Sequence, residues 1–190
     1  MFGLPHTPEV GDNLRRVAHH HDEPGSRAHN STHADLLDAK VLTVSDGVVY
    51  GVREDRSGEA LAAAVERAGF RVVERGVTSD GTDEVAAALG SMVDGFAGIV
   101  VTTGGTGFTS RDLTPEGTRK VIDREAPGLA EAMRLVNPLG RLSRAIAGTA
   151  GNAIVLNTPG STKGCVECFE AVADVLPHAV RLLNGDPTDH

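Results

Sequence analysis

Gly98-Ile99-Val100-Val101, a short β-branched run, passes directly into Thr102-Thr103-Gly104-Gly105-Thr106-Gly107-Phe108-Thr109-Ser110-Arg111-Asp112-Leu113-Thr114-Pro115-Glu116. The run reads as a buried strand. Thr114-Pro115-Glu116 reads as a helix start, with a hydroxyl at the N-cap, proline at the first helical position and an acid in the first turn. Strand, glycine-rich turn and helix in succession restrict the chain to an open α/β sheet, which places anionic ligands at the carboxyl ends of its strands. Gly104, Gly105 and Gly107 let backbone N–H groups converge on a phosphate with no Cβ in the way. Arg111-Asp112 adds a carboxylate, which a plain phosphate cradle does not need because it repels the ligand. An acid beside a phosphate implies a divalent cation between them, and hence phosphoryl or nucleotidyl transfer.

The rest of the chain supports this architecture. Lys40–Ser45 reads as a strand. Ser57–Ala68 reads as a helix with Leu61, Ala64, Val65 and Ala68 on one face, closed by Gly69. Phe70–Val73 is a second strand, Thr82 caps a helix running to about Val93, and Ala97–Val101 is the third strand. Two helical stretches at 115–124 and 128–136 follow, split by Pro127-Gly128. Arg144–Thr149 reads as a short edge strand and Ala153–Leu156 as a buried one. A last helix spans 162–183, and Pro177 should kink or interrupt it. Strands alternating with helices predict a three-layer α/β/α domain with a mostly parallel central sheet.

With 190 residues, 40% of them hydrophobic, the chain can form one domain with a substantial core. No apolar run approaches a membrane span and no signal-peptide pattern is present, so a cytoplasmic protein without membrane contact is expected. Two cysteines do not make a disulfide framework. A net charge of −8 argues against nucleic acid as a partner. Residues 1–38 carry six of the eight histidines and little apolar periodicity, and are expected to form a flexible extension preceding a domain at 39–190. His19-His20-His21-Asp22-Glu23 within it also has the composition of a metal-binding tract.

Four strand ends deliver polar groups to one edge: Ser45-Asp46-Gly47, Thr78-Ser79-Asp80-Gly81, the glycine loop with Asp112, and Asn157-Thr158-Pro159-Gly160-Ser161. The last turn, with Ser161 as N-cap, aims a helix N-terminus at the same edge. Asp80 is read either as a site acid or as a helix cap, and Asp46 more readily as a turn residue. Arg144, after Ser143, is read as pairing equally with a phosphate or an acid, and Lys163 as a solvated first-turn residue. Cys165-x-x-Cys168 has redox spacing, but two half-buried helix cysteines explain it better.

These residues resemble the signature of the MoaB/Mog molybdenum cofactor biosynthesis proteins. The glycine loop with Ser-Arg-Asp-Leu-Thr-Pro-Glu is joined by Leu42-Thr43-Val44-Ser45-Asp46, Asp55-Arg56-Ser57-Gly58, Leu142-Ser143-Arg144-Ala145 and Pro159-Gly160-Ser161, in order across residues 39–184. The resemblance implies a MoaB/Mog-like fold and a molybdopterin adenylyltransferase. Such an enzyme converts ATP and molybdopterin to adenylyl-molybdopterin and pyrophosphate with Mg²⁺, before molybdate is inserted by a downstream protein. It also implies a homotrimer, with Asp80 and Asp112 as the two essential, metal-holding aspartates. The substrate-binding residues it implies are Ser45, Asp46, Thr103, Gly104, Gly105, Thr106, Gly107, Ser143, Arg144, Pro159, Gly160 and Ser161. Ser79, Ser110 and Thr162 stand where proline is frequent, which loosens turns without deleting functional groups. Two alternatives accompany this reading: a molybdopterin-binding relative with little transferase activity, and a structural or regulatory protein on the same fold.

Overall fold

The computed structural model describes residues 36–185; the expected extension at 1–38 lies outside them, apart from its last residues. The chain order is β1 (Leu37–Val44), α1 (Asp46–Val49), α2 (Arg56–Arg67), β2 (Phe70–Thr78), α3 (Thr82–Val93), β3 (Gly98–Thr103), α4 (Thr114–Arg119), β4 (Arg124–Glu125), α5 (Pro127–Leu135), a 3₁₀ turn at Pro138–Leu142, β5 (Ala147–Ala150), β6 (Ala153–Thr158), α6 (Thr162–Glu170) and α7 (Leu176–Leu183). The sheet order is β2-β1-β3-β6-β5-β4. The first four strands are parallel, while β5 and β4 form antiparallel pairs at one side. The mostly parallel three-layer sheet expected from the alternation is therefore present.

The two central strands explain the layering. Every residue of β3 and β6 is buried, as parallel strands covered on both faces must be. Alternation divides their side chains between two cores. Val41, Ile99, Val101 and Leu156 pack with Leu61, Val65, Met133, Phe169 and Leu176 under α2, α5, α6 and α7. Leu42, Val44, Val100 and Val155 pack with Val85, Leu89 and Met92 beneath α3.

The register positions the site. Val44 pairs with Thr78, Thr43 with Thr103, and Thr103 with Thr158. The ends of β2, β1, β3 and β6 thus form a row, and the segments after them emerge along one edge, as the sequence predicts. Asp55 caps α2 by accepting from Gly58 N at 3.0 Å, and Thr43 Oγ1 donates to the same carboxylate at 2.9 Å. This fixes the α2 N-terminus to β1.

Several boundaries differ from the sequence reading. β2 continues to Thr78 because Glu74 and Arg75 lie on an exposed edge strand, where charge is tolerated. β5 is not the edge: the two-residue β4 covers it. Gly81, not Thr82, occupies the N-cap of α3, at φ 152° and without a side-chain cap. The last helix is two helices, α6 and α7, and Pro177 sits in the first turn of α7, where its missing N–H costs little. No helix among the described residues is long and apolar enough to cross a membrane.

Candidate active site at the strand ends

The ends of β1 and β2 are tied by a reciprocal pair: Asp46 N donates to Asp80 Oδ2 at 2.8 Å and Asp80 N donates to Asp46 Oδ1 at 3.0 Å. Arg111 reaches over from the glycine loop to form a bidentate pair with Asp46, at 2.9 Å for its closest contact, and also donates to the Asp80 carbonyl. The Asp46 carboxylate raises the Arg111 pKa further above its ordinary value. Asp46 is thereby occupied as a junction of three segments. Ser45 Oγ accepts from Val48 N and caps α1.

The glycine loop begins with close backbone approaches. Gly104 has φ 105°, and a Cβ there would overlap the Val44 carbonyl oxygen. A Cβ on Gly105 would overlap Thr114 Oγ1 and come within 3.3 Å of Asp80 Oδ1, and one on Gly160 would lie 3.2 Å from Gly104 Cα. Three strand-end loops are therefore in contact at Gly104–Gly105. Thr114 is the first residue of α4 rather than its N-cap. Its buried hydroxyl donates to the Gly104 carbonyl at 2.9 Å and closes the loop. Thr103 Oγ1 donates to the Pro159 carbonyl at 2.9 Å. Behind the loop, buried Asn157 donates to Thr102 and Thr118, joining β6, β3 and α4.

The far end of the loop is held by side chains. Arg144 donates to the Gly107 carbonyl at 2.7 Å, to the Asp112 carbonyl and to Glu116, and its own N–H bonds the Thr106 carbonyl at 2.9 Å. Of the two partners left open for Arg144, the structure provides the acid. The adjacent guanidinium holds the Glu116 carboxyl below the usual carboxylate range. Asp112 Oδ2 accepts from Thr109 N at 2.7 Å and would meet a Cβ on Gly107 at 3.0 Å.

Two cavities flank the Pro159-Gly160-Ser161 turn. The first, about 280 Å³, is lined by Ser45, Asp80, Gly104, Gly105 and Gly160 together with residues from the α1–α2 connection. The second, about 170 Å³, has apolar walls including Met133, Leu139 and Ala145, with Ser143, Asn157, Pro159 and Ser161 among its lining. Asp80 lies beside Gly105 and Asp112 beside Gly107, and Asp80 lines the first of these two cavities while Asp112 lines neither. Sequence reasoning assigned no role to Arg53, Arg56 and Ser57, which line the first cavity. For Arg56 and Ser57 the Asp55-Arg56-Ser57-Gly58 motif was the available signal, whereas Arg53 lies outside it. Ser161 caps α6 as expected, accepting from Gly164 N at 3.2 Å, and Lys163 pairs with Glu167 one turn on. Burial raises the pKa of both thiols, that of Cys168 to about 11. A redox pair requires the opposite shift.

No cluster of three or more His, Cys, Asp or Glu side chains among the described residues is arranged to hold a metal. Asp80 and Asp112 carry oxygen donors, the type that a hard cation takes along with water and phosphate.

A family model described as "Probable molybdopterin binding domain" matches residues 40–178. The chain is 37% identical over 153 residues to the molybdopterin adenylyltransferase of Helicobacter pylori (strain J99), covering 77% of this chain and 87% of that protein. It is also 37% identical over 152 residues to the molybdenum cofactor synthesis protein cinnamon of Drosophila melanogaster, but spans only 25% of that longer protein. Among solved structures, the molybdopterin biosynthesis enzyme MoaB from Thermus thermophilus superposes with a TM-score of 0.74 at 40% identity, covering 81% of this chain and all of the other. A MogA structure superposes with a TM-score of 0.73 at 37% identity, covering 77% and 99%. The fold, the glycine loop and these likenesses place the chain in the MoaB/Mog family of molybdenum cofactor biosynthesis proteins.

Proposed function

We propose that the chain is a molybdopterin adenylyltransferase, acting on ATP and molybdopterin. The observation that carries this reading is the pair of cavities sharing the 159–161 turn, one polar and opening on Asp80 and the glycine loop, the other apolar. The ring system of molybdopterin suits the apolar cavity, with Ser143 and Asn157 as hydrogen-bonding groups, and the phosphates suit the glycine loop. A phosphate oxygen of molybdopterin attacks the α-phosphorus of ATP. The new P–O bond forms as the bond from that phosphorus to the β-bridging oxygen breaks, and pyrophosphate leaves with the electron pair.

The protein contributes position and charge, which dominate phosphoryl-type transfers. Gly104 and Gly105 offer close main-chain approach, the Asp46–Asp80 pair fixes the strand ends, and no protein nucleophile is needed. Asp80 and Asp112 would hold Mg²⁺, which supplies neutralisation of the phosphate oxygens. One observation favours the second reading, molybdopterin binding without efficient transfer: Asp112 lies outside the lining of both cavities. The homotrimer, the cytoplasmic setting and the hand-over to a molybdate-insertion protein belong to the same proposal. Leu135 and Leu139, 85% and 71% exposed beside the second cavity, support self-association through residues 128–142. Light scattering at a trimer mass tests it.

The deciding experiment is adenylyl transfer from Mg·ATP to purified molybdopterin by wild type, Asp80→Asn and Asp112→Asn. Wild type forms adenylyl-molybdopterin, and each variant loses about 100-fold or more in turnover while still binding molybdopterin. A wild type that binds molybdopterin but yields no product leaves only the binding reading.

A further inference from the structure

Four arginines surround the strand-end site, and three have carboxylate partners. Arg56 pairs with Glu54, Arg111 with Asp46 and Arg144 with Glu116. Arg53 lines the same cavity as Asp80, Gly104 and Gly105, yet its guanidinium has no hydrogen-bond or ion-pair partner among the described residues. Its position is nevertheless built. The chain leaving α1 turns so that Val52 N and Arg53 N both donate to the Gly47 carbonyl, at 2.8 and 2.9 Å. The Arg53 stem then lies on Gly47, where a Cβ would stand 3.1 Å from Cδ and 3.3 Å from Cγ. The site therefore offers one cation without a carboxylate partner on the wall formed by the α1–α2 connection.

We propose that Arg53 receives the polyphosphate end of the nucleotide, the part that departs as pyrophosphate. This rests on the adenylyl-transfer reading above and goes beyond it by assigning the nucleotide's direction in the cavity. The two acids lining this cavity are Asp80 and Glu54. Glu54 is neutralised by Arg56, whereas the polyphosphate brings several negative charges and gains more on its bridging oxygen as it leaves. A guanidinium fork matches two phosphate oxygens at once. With Arg111 and Arg144 committed to Asp46 and Glu116, Arg53 is the residue able to do so without first breaking an ion pair.

Calorimetric titration of Mg·ATP, Mg·pyrophosphate, AMP and molybdopterin into wild type, Arg53→Ala and Arg53→Lys tests the assignment. Arg181→Ala serves as a control that removes the same charge from α7. Arg53→Ala should weaken Mg·ATP and Mg·pyrophosphate about tenfold and leave AMP and molybdopterin within about twofold. Arg53→Lys should recover part of the loss, and Arg181→Ala should bind as wild type. Unchanged ATP affinity in Arg53→Ala, or an equal loss for AMP or molybdopterin, overturns the assignment. A wild type that binds no ATP overturns the transferase reading and this inference with it, an outcome distinct from failure at Arg53 alone.

Discussion

The two ends of the glycine loop are held by different forces, although only a few residues separate them. At its start, Gly104 and Gly105 press against the Val44 carbonyl and the Thr114 hydroxyl, and the neighbouring bonds come from buried groups. At its end, Thr109–Asp112 is secured by Arg111 on Asp46 and by Arg144 on Glu116, pairs that are partly open to solvent. The first kind of support is insensitive to salt and intolerant of substitution. The second is adjustable, because exposed ion pairs contribute little and are screened. The two acids are divided accordingly: Asp80 lies against the rigid start and Asp112 on the adjustable end. The loop combines a start held by buried contacts with an end whose ion pairs salt can weaken.

The severest way to break this contrast is Gly104→Ala. The new Cβ meets the Val44 carbonyl at a φ of 105°, so a loss of about 3 kcal/mol or more is expected in urea unfolding. Next is Thr114→Val, which leaves the Gly104 carbonyl without its buried donor. A loss of about 1–3 kcal/mol should follow, largely restored in Thr114→Ser. At the other end, Glu116→Gln should act through pH. The depressed pKa of Glu116 contributes stability that is present above the usual carboxylate range and is lost as pH falls through the depressed value. The variant should therefore melt lower than wild type at neutral pH, with the difference shrinking as acid is added. If the difference is constant with pH, the pair with Arg144 has no such role. The smallest effect belongs to Arg111→Ala: melting temperature unmoved, but faster amide exchange at 108–112, the sign that the Arg111 side chain helps to hold that end.

The row of strand ends was legible in the sequence because β3 and β6 carry the apolar runs Ile99–Val101 and Ala153–Leu156 and lead into Gly or Pro-Gly turns. Their register then follows from burying both faces. The lower-contrast elements were not legible. β2 carries Glu74 and Arg75 through its second half, where an exposed edge removes the apolar signal. β4 is two charged residues that become a strand only by pairing with β5. Within the site, the residue types were readable but their partners were not. Arg144 meets Glu116 because α4 brings that acid within reach, a fact of tertiary packing. Thr114 reads locally as a cap, yet the approach of Gly104 draws its hydroxyl elsewhere. Arg53 lacks any pattern of its own and becomes notable only when the carboxylate partners of its neighbours are known.

The Pro159-Gly160-Ser161 turn has a consequence for how this protein can change. Pro159, Ser161, Lys163 and Gly164 line one cavity while Gly160 and Thr162 line the other, so a change that moves the backbone of this one turn moves a wall of each. Residues away from the turn, such as Met133 or Leu139 on one side and Arg53 or Ser57 on the other, can change without moving that shared backbone. Selection, or a designer, that wants to reshape one cavity without disturbing the other must leave the dividing wall alone.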